Sequence, residues 1–77
     1  MSKYPKEVFY SIEGTEALEL SLTIGKNIES ESFWVESLIL FKDTKKIFKN
    51  LGRKYEISDE ESALSEGLRT FRLFRNL

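Results

Sequence analysis

SFWVESLILF, residues 32–41, has two readings, and the fold turns on which one holds. At period two it places Phe33, Val35, Ile39 and Phe41 on one face and Trp34, Leu38 and Leu40 on the other. At 100° per residue it groups Trp34, Leu38 and Phe41, with Ser30 or Ser32 as a cap. A helix here would give a hairpin covered by a helical bundle. The strand reading is preferred, because β-branched and aromatic residues crowd the segment and a polar, turn-like stretch, GKNIESES (25–32), precedes it. Such a strand would be buried on both faces.

Upstream, VFYSI (8–12) alternates, with Val8, Tyr10 and Ile12 on one side. Residues 18–24 alternate more cleanly, with Leu18, Leu20, Leu22 and Ile24 facing away from Glu19, Ser21 and Thr23. Between them EGTE (13–16) carries Gly14 in a polar cluster, the chemistry of a short hairpin loop. The spacing predicts an antiparallel hairpin with one wet face.

Downstream lies KDTKKIFKNLGRK (42–54), with six basic side chains and one acid in a chain of net charge -1. Asp43 is placed to cap a short helix over about 44–51, with Ile47, Phe48 and Leu51 on one side and Gly52 where helices commonly end. An extended piece, KYEI (54–57), follows. Ser58 and Glu61 then make a capping box, and Asp59, Glu60 and Glu61 suit the positive end of a helix dipole. Leu64, Leu68, Phe71 and Phe74 share one stripe of a helix over about 59–75 with Gly67 in its middle, while Arg69, Arg72 and Asn76 lie roughly opposite. The expected architecture is one small α+β domain over residues 1–77. Its mainly antiparallel sheet, a β-hairpin plus a third strand, is packed by a short helix and a long C-terminal amphipathic helix.

A chain of 77 residues buries only about 60% of its unfolded surface, so a homo-oligomeric interface would add needed stability. There is no cysteine and no histidine. Thiolate chemistry, sulfur-ligated metals and the side chain best suited to proton transfer near neutrality are therefore excluded. Neither GxGxxG nor GxxxxGK[ST] occurs, nor does any EF-hand or zinc spacing. The neighbouring carboxylates Glu29 and Glu31, or Asp59 to Glu61, read as solvated groups, not as an acid–base pair. No cofactor and no catalytic residue is expected. The opening MSKYPKEVFY lacks the apolar core of a secretory signal, and FWVESLILF (33–41) is far shorter than the ~20 residues that span a bilayer. The expectation is a cytoplasmic protein that does not engage membranes.

Charge divides unevenly. Residues 1–36 hold seven acids and three bases, net -4, and residues 37–77 hold nine bases and six acids, net +3. Lys42, Lys45, Lys46, Lys49, Arg53 and Lys54 read as a docking patch for phosphates or for an acidic protein surface; the plainer reading is a solvated lysine face. Arg69, Arg72 and Arg75 offer forks for carboxylates or phosphates, against simple compensation of the helix dipole. Leu73 and Leu77 fall off the main stripe and suggest a second, narrower apolar strip, or else exposed leucines at a chain end. Trp34 and Tyr55 are candidate stacking platforms, although most aromatics in so small a domain serve the core. The function expected first is that of a small non-enzymatic regulator or inhibitor, cellular or viral, that occupies the surface of a partner protein as a homo-oligomer. The alternative is a nucleic-acid-binding module that uses the same cations on phosphates.

Overall fold

Leu20, Leu22 and Ile24, alternating along one strand, lie at the centre of the molecule and are almost wholly buried. In the computed structural model, which describes residues 3–76, they belong to β2 (Leu18–Asn27). This strand runs between β1 (Lys6–Ser11) and β3 (Ser32–Phe41). A fourth strand, β4 (Ile47–Ile57), and a helix, α1 (Glu60–Arg75), complete the chain. The sheet is an antiparallel meander in the order β1-β2-β3-β4. The segment 32–41 is therefore a strand.

Register explains the core. Leu20 stands opposite Tyr10 and Ile39, Leu22 opposite Val8 and Ser37, and Ile24 opposite Lys6 and Val35. This face is covered by α1, and Leu20, Leu22, Ile24, Val35, Ile57 and Ala63 form one cluster flanked by Leu64, Leu68 and Phe71. The helical stripe expected from the sequence is the one that docks. Gly67 lies at its closest approach: a Cβ there would stand 2.8 Å from a Leu22 methyl and 3.1 Å from a Val35 methyl.

The short helix expected over 44–51 is absent, because those residues turn and then enter β4. Asp43 accepts a hydrogen bond from the Thr44 backbone N–H through Oδ1, at 2.8 Å, and so serves the turn. A helix of two turns is weak by itself. The open edge of β3, by contrast, carries a row of backbone groups that need partners. Ile47, Phe48, Leu51 and Tyr55 suit a strand, and β4 supplies those partners. The left-handed glycine anticipated at Gly52 is real, with φ 103°, but it lies opposite Ser37 where the ladder slips. The ladder slips at three places in all, and Glu56, with φ 58°, belongs to another of them. Bulges and charges of this kind keep an edge strand from pairing with other chains.

The helix cap is shifted by one residue from the expected capping box. Asp59, not Ser58, is the N-cap, and its Oδ1 accepts the Ser62 N–H at 2.7 Å. That bond holds the Asp59 carboxyl below its ordinary value. Glu60 is also lowered, first by the hydrogen bond from the Tyr4 hydroxyl and then by Lys6 at 3.0 Å. The same bond raises the Tyr4 phenol. These contacts tie the chain start to the β4–α1 junction.

Two predictions follow from this packing. Gly67→Ala gains about 1 kcal/mol of helix propensity but overpacks the helix–sheet contact by ~1–3 kcal/mol, so urea denaturation should show a net loss of about 1 kcal/mol; an unchanged or raised midpoint would contradict the close approach. The lowered carboxylates stabilise the fold fully above their ordinary range near pH ~4, and that contribution is lost as pH falls through their lowered values. The raised Tyr4 contributes fully below pH ~10 and loses its contribution as pH rises through the raised value. The urea midpoint should therefore fall on acidification, and in Glu60→Gln it should fall less.

Candidate functional site

The six cations of 42–54 do not form one face. Lys42, Lys45 and Lys46 occupy the β3–β4 turn, and β4 carries the rest on alternating sides. Lys45 reaches back to Glu19 on β2 and lies 4.7 Å over the Phe9 ring. Arg53 pairs with Glu36 at 3.1 Å, on the sheet face away from the helix. Its pKa is raised by that hydrogen bond and by a second one to Tyr55. Lys54 points the other way, to Glu66 of α1, at 3.4 Å. Three of the six are thus neutralised by acids of this chain. Lys42, Lys46 and Lys49 have no acidic partner among the described residues.

The segment that carries those three lysines also exposes large apolar side chains. Phe41 and Phe48 meet edge to face with centroids 5.4 Å apart, and Ile47 adjoins Phe48 in the chain. Ile47 is 59% exposed and Phe48 51%. A shallow groove at Phe41 is lined by Glu16, Ala17, Phe41, Lys42 and Asp43. Large apolar groups exposed together in a small protein mark contact surfaces. Lysine is the better neighbour for such a patch when the occupant is acidic, because an unpaired ammonium supplies attraction without a fixed geometry.

Trp34 and Tyr55 come together on the uncovered sheet face with Arg53 between them. The Arg53 guanidinium stands 4.3 Å from the Trp34 ring centroid and 5.9 Å from that of Tyr55. The indole also lies against Gly25, where a Cβ would fall 2.0 Å from the ring. A base stacking on Trp34 would compete with Arg53. Further along this face Ser21 is buried, and its Oγ has no hydrogen-bond partner among the described residues.

The helix arginines have separate roles. Arg69 stands 3.9 Å from Glu66. Arg75 donates to the Glu13 carbonyl at 3.5 Å and lies 6.0 Å from the Phe71 ring. Arg72 has no acidic partner among the described residues, and Leu73 is exposed. Leu77 lies outside the described residues.

The strand register gathers charge at the two ends of the sheet. One end holds the β1–β2 and β3–β4 turns and the C-terminus of α1; apart from the Lys45–Glu19 pair, it carries five cations (Lys42, Lys46, Lys49, Arg72, Arg75) against three acids (Glu13, Glu16, Asp43). The other end holds the β2–β3 turn and the start of α1. Apart from Glu60 with Lys6, it carries five acids (Glu29, Glu31, Glu56, Asp59, Glu61) against Lys3 and Lys26. These two lysines lie 5.5 Å over Tyr4 and 5.6 Å over Phe33. At the acidic end Ile28 projects from the turn, 85% exposed. Sequence reasoning did not single out Ile28, Phe41, Ile47 or Phe48. An isoleucine inside GKNIESES is the one local signal that was legible, since an apolar residue in a turn has no core to serve.

No protein-family model, curated protein or solved structure matches this chain. Among the described residues no group of acids is close enough together to hold a metal ion, and no helix is long and apolar enough to cross a membrane.

The Trp34 arrangement is directly testable. Gly25→Ala puts a methyl where the indole lies, so the ring must swing away from the sheet; emission from this lone tryptophan should shift to the red, with a loss of about 1–3 kcal/mol in stability. Unshifted emission would mean that the indole does not rest on Gly25.

Proposed function

We propose that this protein is a non-enzymatic interaction module whose basic end receives an acidic segment of a partner protein. One observation carries the reading: the segment 41–49 combines Lys42, Lys46 and Lys49, which form no ion pair among the described residues, with the exposed Phe41, Ile47 and Phe48. Aromatic anchors set among cations are the usual anatomy of an interface, in which apolar groups supply affinity and charge supplies approach and register. The absence of histidine and cysteine from the sequence supports binding over catalysis.

A protein segment suits this end better than a nucleic acid. Lys45, Arg53 and Lys54 are engaged by Glu19, Glu36 and Glu66, which removes half of the basic run from phosphate binding. The sequence pI is about 5.5, and a polyanion would meet that acidity over most of the surface. Arg53 already covers Trp34, the natural stacking platform. The partner that fits is an extended acidic peptide with one or two apolar side chains.

Fluorescence anisotropy tests this with two probes, a short labelled peptide of glutamates around a single isoleucine and a labelled single-stranded DNA. The peptide should bind, with affinity falling as salt rises, and Lys42→Gln/Lys46→Gln/Lys49→Gln should weaken it by at least about tenfold. Tight binding of the DNA with no binding of the peptide would overturn the assignment in favour of phosphate recognition.

A further inference from the structure

We propose that one occupant of the basic end is a second copy of this chain, seated head to tail through the β2–β3 turn at its acidic end. This rests on the reading of the basic end given above and names a partner for it. The two ends are complementary in net charge. At one, Ile28 projects into solvent between the chain neighbours Asn27 and Glu29, with Glu31 two residues beyond. At the other, the groove lined by Glu16, Ala17, Phe41, Lys42 and Asp43 lies open, at an end of the molecule where Lys42, Lys46, Lys49, Arg72 and Arg75 outnumber Glu13, Glu16 and Asp43. Seating Ile28 in that groove would bury the most exposed large apolar side chain among the described residues against Phe41. It would also bring Glu29 and Glu31 to the end that holds Lys42, Lys46 and Lys49, which form no ion pair among the described residues.

The geometry sets the kind of assembly. β2 and β3 are ten residues each, which spans ~33 Å and accounts for most of the 39 Å long axis. Head and tail therefore lie at opposite ends, and the contact is heterologous: one copy's head meets the next copy's tail and no two-fold pair closes. The end face is bounded by the 28 × 16 Å cross-section, so a contact covers at most about 450 Å² per subunit, at the low end of specific interfaces. Association is consequently weak, open-ended and sensitive to salt.

Complementation tests it. The head variant is Lys42→Gln/Lys46→Gln/Lys49→Gln and the tail variant is Ile28→Ser/Glu29→Gln/Glu31→Gln. All six positions are exposed, and circular dichroism confirms that each variant folds. In sedimentation from micromolar to near-millimolar protein at low salt, the parent chain should gain mass with concentration and lose it on adding salt. Each variant alone should stay monomeric, with association weakened at least about tenfold. Mixed together they should form a species of two chains and nothing larger, because the intact tail of one meets the intact head of the other. A parent chain that stays monomeric throughout, a variant that assembles as the parent does, or a mixture that fails to pair would each overturn the inference. If the mixture fails to pair while the acidic peptide still binds in a lysine-dependent way, the basic end keeps its proposed role and only the second copy is lost. If the peptide fails as well, both readings fall.

Discussion

The structure depends on the close approach of α1 to the sheet at Gly67. With no side chain at that position and only a methyl at Ala63, the helix settles directly onto Leu22 and Val35. Leu64, Leu68 and Phe71 then close over the centre of β2 and β3. The contact commits one face of the sheet to the core and leaves the other without a covering layer. It also aligns the helix with the strands, so that its acidic first turn sits at one end of the sheet and its basic last turn at the other. The electrical polarity of the molecule follows from that alignment together with the placement of the turns.

The uncovered face is clothed by the protein's own long cations. Lys45 crosses from the β3–β4 turn to Glu19 and the Phe9 ring, and Arg53 lies over Trp34 beside Glu36. Long basic side chains shield apolar surface in this way while keeping their charge in water. That use removes them from service as a binding patch. The three lysines that remain are the ones near the β3–β4 turn, where the sheet ends and no ion pair forms to them among the described residues.

Much of the fold was legible. The alternation of Leu18, Leu20, Leu22 and Ile24, the crowding of β-branched and aromatic residues in 32–41 and the stripe through Gly67 correspond to β2, β3 and the docked face of α1. The run 42–54 was misleading because its local signals, an aspartate cap and a terminal glycine, serve a turn and a bulge as well as they serve a helix. The need of the β3 edge for a hydrogen-bonded neighbour outweighed them. The candidate site was legible only in part. The lysines stood out by their density, but nothing local could show that Glu19, Glu36 and Glu66, which are 26, 17 and 12 positions away, would claim half of that basic run.

By itself the sequence determined what chemistry is within reach and which residues alternate into a core, because side-chain identity and period are properties of short segments. It excluded histidine and thiol chemistry, placed most of the strands and named the face of the C-terminal helix that would be buried. Tertiary structure alone decided that residues 47–53 join the extended piece 54–57 in one strand, that Arg53 lies over Trp34, and that Ile28 and the Phe41–Phe48 pair stand at opposite ends of the molecule. Each of these depends on which distant segment is adjacent in space. Sheet pairing sets that adjacency through hydrogen bonds between strands, and those bonds carry no mark in the local sequence.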